Sequence, residues 1–116
     1  MADNGGAKVL TLVVEQSNGT PVVRCNGRLV AGVSDRLYRE VSAIIPGSKR
    51  VVLDMTELTH MDSMGIGTLV RLYVSAKSAK CELQLVNLNQ RIRELLGLTN
   101  LLSVFSACGH YMTKMP

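Results

Sequence analysis

Val51-Val52-Leu53-Asp54-Met55-Thr56-Glu57-Leu58-Thr59-His60-Met61-Asp62-Ser63-Met64-Gly65-Ile66-Gly67-Thr68-Leu69 is the stretch on which the reading of this chain turns. Val51-Val52-Leu53 is a continuous apolar run, the pattern of a strand buried on both faces. The polar residues that follow read as a short loop. From Ser63 the apolar spacing becomes helical. A hydroxyl at that helix start lies at the positive end of the helix dipole, among backbone N–H groups that have no partner within the helix. A phosphate fits such a place without unfolding anything, so Ser63 is a candidate switch.

The flanking sequence builds a domain around this stretch. Val9 to Val14 is rich in β-formers. Ser17-Asn18-Gly19-Thr20 contains the Asn-Gly pair that favours a tight hairpin. Val22 to Asn26 then forms the second strand, with a break at Gly27 to Gly32, although Leu29 and Val30 are apolar enough to extend the strand. Ser34 and Asp35 offer helix caps, and Leu37, Val41, Ile44 and Ile45 fall on one helical face. Pro46-Gly47 ends that helix. The helix after Ser63 is expected to turn Ile66, Leu69, Val70, Tyr73 and Val74 inward and to stop near Ser78. Leu83 to Val86 is a further buried strand. Asn87 or Asn89 caps a helix with Ile92, Leu95 and Leu96 on its core side, and Gly97 sits just past its last turn. Leu101 to Phe105 reads as a last short strand, and Ser106 to Pro116 as a weak helix or a tail. The order β-β-α-β-α-β-α-β predicts an α/β fold with a mixed sheet: an N-terminal antiparallel hairpin, then β-α units packed against helices.

Bulk properties narrow the function. With 116 residues, the chain fits one domain: residues 7–116, after a flexible N-terminus at 1–6. Hydrophobic residues make up 47% and aromatics only 3%, so Val, Leu, Ile, Met and Ala must fill the core. The formal net charge is +4, but the basic residues are scattered and no stacking aromatics lie between them. That pattern argues against a direct nucleic-acid site. Cys25, Cys81 and Cys108 lack metal or disulfide spacing and read as small buried thiols of a reducing compartment. No run approaches the roughly 18 apolar residues of a membrane span, and Met1 to Gly6 is polar. Both point to a cytoplasmic protein without membrane insertion.

Several residues invite a chemical reading. Asp54 and Asp62 flank the loop as an acid/base pair would. The plainer roles are a strand end that satisfies loop N–H groups for Asp54, and a complement to the helix dipole for Asp62, where a recognition role also stays open. Either Asp62 or Ser63 serves as N-cap. His60, Ser63 and an aspartate suggest a hydrolase triad, but the G-x-S-x-G elbow is missing, and His60 reads as a loop residue. Gly65 and Gly67 lack the third glycine of a dinucleotide fingerprint and the Gly-Lys-Ser/Thr of a P-loop. Their role is steric, giving close approach to a neighbouring element or to a partner. Met64 is expected to project outward as a contact residue, with Met55 and Met61 in the core or at its rim. Neither an enzyme nor a cofactor is predicted.

The run from Val51 through Asp54, and Met61-Asp62-Ser63-Met64-Gly65-Ile66-Gly67-Thr68-Leu69 after it, resembles the signature of the STAS domain family, especially the bacterial anti-sigma-factor antagonists. The likeness extends from Val9 to Phe105, and Ile92 to Val104 resembles the family's late helix, Gly-Leu and terminal strand. The resemblance implies an antagonist that binds an anti-sigma factor which is also a serine kinase. Phosphorylation at Ser63 would release it, and a serine phosphatase would restore it. Partner binding would fall to His60, Asp62, Ser63, Met64, Gly65 and Gly67. Where many antagonists carry Gly-Glu-Leu-Asp, this chain has Gly27-Arg28-Leu29-Val30, with both acids gone and one charge reversed. The alternative expectation is a STAS adaptor or scaffold that is not phosphorylated, in a membrane transport or signalling complex.

Overall fold

The computed structural model describes residues 9–98 and 111–112. Along the chain these form β1 (Leu10–Ser17), β2 (Thr20–Leu29), α1 (Ser34–Ile44), β3 (Arg50–Asp54), β4 (Leu58–Met61), α2 (Ser63–Ser78), β5 (Glu82–Val86), α3 (Gln90–Leu98) and β6 (Tyr111–Met112). The strands make one mixed sheet in the order β1-β2-β3-β5-β6, with β4 also beside β2. Only β1 and β2 are antiparallel, joined through Asn18-Gly19 with Ser17 opposite Thr20; the other pairings are parallel.

Two strand expectations need adjusting. The break comes later than Gly27: β2 runs on to Leu29, the extension that the apolar Leu29 and Val30 left open. At Gly27 φ is +104°, and a Cβ there would overlap the Val9 carbonyl oxygen; the β2–β4 register shifts between Gly27 and Arg28, with Thr59 of β4 as the extra residue. Val22–Arg24 pairs with β3, and further along the same edge Gly27–Leu29 pairs with β4. The second correction is β4 itself, which occupies part of the supposed loop. Leu58 and Met61 are buried and Thr59 and His60 exposed, so period-2 alternation is absent and four residues gave no strand signal. His60 is therefore a strand residue.

One face of the sheet carries the main core. Val23, Cys25, Val51, Leu53, Leu83 and Leu85 meet Leu37 and Val41 from α1, Leu69, Leu72 and Ala76 from α2, and Ile92 and Leu96 from α3. Val22, Val52 and Val86 form a smaller cluster apart from it, as alternation across the pleat requires. Cys25 and Cys81 are buried free thiols. Burial, aided by the charge of Asp54, pushes the Cys25 thiol up to about 12. Cys108 lies outside the described residues.

The helices are close to expectation except in their facing. Leu37, Val41 and Ile45 are buried and Ile44 partly so. On α2, Leu69 points inward and Ile66 and Tyr73 pack at the edge of the core. Val70 and Val74, expected inside, are 41% and 60% exposed; Gly65, Thr68, Leu72 and Ala76 face inward with Leu69. Apolar residues lie on both the inner and the outer side of α2, so a 3.6-residue period can be phased in more than one way. Close approach at Gly65 fixes the phase, since a Cβ there would overlap the Leu29 carbonyl oxygen and lie 2.9 Å from Met61 Cγ. For α3 the cap is Asn89, whose Oδ1 accepts from the Ile92 N–H at 2.9 Å. Gly97 lies within α3, not past it. The expected strand at Leu101–Phe105 and the terminus at 1–6 lie outside the described residues. Within the expected tail, Tyr111–Met112 form β6 and pair with Leu85 and Val86.

Candidate functional site

The site sits where β4 gives way to α2. Asp62 is the N-cap, in extended conformation, and Ser63 is the first helical residue, which settles the choice between the two caps. One carboxylate oxygen of Asp62 accepts the N–H groups of Met64 and Gly65, each at 3.0 Å. The other accepts the Ala31 N–H at 2.9 Å. The Asp62 N–H in turn donates to the Leu29 carbonyl at 3.3 Å. A single residue thus ties the end of β2 to the start of α2. The Ala31 amide, followed by those of Gly65 and Met64, holds the Asp62 carboxyl below the ordinary carboxylate value.

Ser63 is exposed. Among the described residues its hydroxyl takes part in no hydrogen bond. Two of the N–H donors that a phosphate was expected to use are already engaged: Met64 and Gly65 give theirs to Asp62. Ser63 thus stands one residue from a fixed carboxylate. Met64 beside it projects outward and is 57% exposed, while Met55 and Met61 are buried.

The two glycines divide. Gly65 is buried and needed by the fold, as described above. At Gly67 a Cβ would meet nothing within 4 Å, so no internal packing asks for glycine there. His60 is exposed on β4 next to the site, opposite Arg28 in the β2–β4 register, and its Nδ1 lies 2.9 Å from the Thr59 hydroxyl oxygen. Among the described residues no hydrogen bond joins it to Ser63, so the components of a triad are not assembled. Asp54 faces elsewhere: Oδ1 accepts from the Thr56 N–H at 3.0 Å and from Asn87 Nδ2 at 3.2 Å. Burial works to raise its carboxyl pKa, but these bonds and the Arg24 charge outweigh it, and the net direction is down. It closes the strand end, as the plainer reading had it. Among the described residues no three His, Cys, Asp or Glu side chains converge as a metal set, and no helix is long and apolar enough to cross a membrane.

Sequence reasoning missed the main-chain side of this corner. Nothing in the chain marks Ala31 as a partner of a residue 31 positions away, because the amide donor is common to every residue type but proline. The outward valines of α2 were visible as residues but assigned to the wrong side.

A mixed sheet with helices on one face, and an exposed serine on a capped helix start, make up an α/β domain of the STAS type. The STAS domain family profile matches residues 11–113, and the chain belongs to that family. It is 25% identical over 115 residues to BtrV of Bordetella bronchiseptica, named for an inferred role as an anti-sigma factor antagonist, covering 92% of this chain and 99% of that one. Its fold is shared with the Bacillus cell fate determinant SpoIIAA, solved in a phosphorylated form (TM-score 0.68, 18% identity, 91% of this chain and 92% of that one). It is shared equally with a sulfate transporter family protein from Wolinella succinogenes (TM-score 0.74, 20% identity, 87% and 82%).

Proposed function

We propose that this chain is a cytoplasmic anti-sigma-factor antagonist that docks on a kinase-type anti-sigma factor through the β4–α2 corner and is switched by phosphorylation of Ser63. A serine phosphatase would reset it, and the regulated process is transcription through partner exchange. The observation that carries this reading is the exposed, unengaged Ser63 hydroxyl beside an Asp62 carboxylate locked by three amides. Likeness to BtrV and to SpoIIAA, the latter known in phosphorylated form, supports it.

The physics of release is simple. A phosphoserine carries about −1.5 to −2 charges at neutral pH. The capping carboxylate already occupies the Met64 and Gly65 amides, so the new charge finds fewer donors within its own fold. In a docked interface it is desolvated beside a second negative charge. A hundredfold loss of affinity needs only about 2.7 kcal/mol, which a desolvated and uncompensated dianion supplies. Asp62, Met64, Gly65, Gly67 and His60 form the contact surface around it.

The test is a pull-down from the native cell extract with the wild type, Ser63→Ala and Ser63→Asp, with mass spectrometry of the bound proteins and of Ser63. The wild type and Ser63→Ala should retain an anti-sigma-factor kinase, and Ser63→Asp should lose it. Ser63 should carry one phosphate in a kinase-dependent way. A Ser63→Ala protein that is released from its partner just as the wild type is would refute the switch. A non-phosphorylated adaptor role has one observation in its favour, the exposed Arg28 in the 27–30 stretch, where many antagonists carry acids. Co-purification with transporter subunits in place of a kinase would select that role.

A further inference from the structure

Helix α2 is apolar on both sides. At 100° per residue, Ser63, Gly67, Val70 and Val74 fall within an arc of about 60°, opposite the buried Gly65, Thr68, Leu69, Leu72 and Ala76. An outward helical line in a soluble domain is ordinarily polar. Here it holds a glycine that no internal contact requires and two valines 41% and 60% exposed. It starts at the switch serine and runs about 16 Å from it to Val74. Its charges have one sign: no Asp or Glu occurs between residues 63 and 78, while Arg71 and Lys77 flank the line. From neighbouring elements, Asp35 on α1 lies 3.7 Å from Arg71, with both side chains more than half exposed, a weak pairing in solvent. The Arg71 guanidinium also covers the Tyr38 ring at 3.9 Å, and the Lys77 ammonium lies 5.8 Å from the Tyr73 ring centroid. Asp62 is spent on backbone amides.

We infer that the docking surface runs along the whole outer line of α2, from Ser63 through Gly67 and Val70 to Val74, and that the same partner meets it with an apolar ridge rimmed by carboxylates. This rests on the reading proposed above and specifies the chemistry of the partner. Gly67 lets that ridge approach the helix backbone, Val70 and Val74 bury against it, and Arg71 and Lys77 face the acidic rim. The sign of the switch follows. A phosphate on Ser63 enters a surface that already carries negative charge, so repulsion comes from the partner as well as from Asp62.

The experiment places a photo-crosslinking p-benzoyl-phenylalanine at Met64, at Val74 or, as a control at the other end of the sheet, at Lys49, in the full chain expressed in its own cell. Positions 64 and 74 should capture the same protein, position 49 should not, and both captures should disappear in the Ser63→Asp background. Capture at 64 without capture at 74 overturns the inference and leaves the switch reading standing. Capture of a second copy of this chain at 74, or capture there that survives Ser63→Asp, also overturns it. No capture at either position removes both. With the captured protein purified, Val74→Glu should bind at least tenfold more weakly than Val74→Lys. Equal affinity, or the reverse order, refutes the acidic rim. Far-UV melting curves matching the wild type would show that both variants fold.

Discussion

The two sides of α2 contain similar residues and do different work. Inward, Gly65 is small because the Leu29 carbonyl leaves no room for a side chain, and Leu69 and Leu72 are fully buried. Outward, Gly67 is small with open space in front of it, and Val70 and Val74 stay in solvent. The inner side is explained by this chain's own packing. The outer side is not, and what the fold leaves unexplained is what a partner has to explain. The contrast also separates two reasons for a glycine within a few residues of the same helix.

The contrast can be broken most sharply at Leu72. Leu72→Ala should lower stability by about 3 kcal/mol, the cost of a core cavity, seen as a shifted denaturant midpoint. Gly65→Ala should cost about 2 kcal/mol, because the new methyl overlaps main chain that cannot rotate away. An unchanged midpoint there would mean that the β2–α2 approach is looser than described.

Asp62→Ala should cost about 1.5 kcal/mol, as loss of a cap does, and the effect has a pH signature. The folded Asp62 pKa is depressed, so its contribution is fully present above the unfolded value, about 3.9, and is lost as pH falls through the folded value. Asp62→Asn should therefore flatten the acid limb of the stability curve below about pH 4. Gly67→Ala should do the opposite of Gly65→Ala, stabilising the free chain by about 0.8 kcal/mol through helix propensity while weakening partner capture. Val74→Ser should change stability by no more than about 0.5 kcal/mol; a larger loss would mean that this side chain is packed within its own domain.

Much of the fold was legible because single residues left few options. Val51-Val52-Leu53 could only be a buried strand, Asn18-Gly19 a hairpin turn, and the spacing of Leu37, Val41 and Ile45 a helix with one core face. What was illegible depended on contacts between distant segments. The four residues of β4 do not alternate, and they are a strand only because β3 stops opposite Arg24 and leaves the edge of β2 free from Gly27 onward. The facing of α2 was decided by one backbone approach at Gly65, which periodicity cannot see. At the site, two adjacent residues with side-chain oxygens, Asp62 and Ser63, both suited the cap. Geometry gave that role to the carboxylate and left the hydroxyl unengaged.

The bond from Ala31 to Asp62 also equips the domain with a built-in spectator. That amide proton sits on a carboxylate next door to Ser63 yet belongs to a different part of the chain. In a heteronuclear NMR spectrum its resonance would register modification of the serine without any label or dye, and would do so before any partner is added.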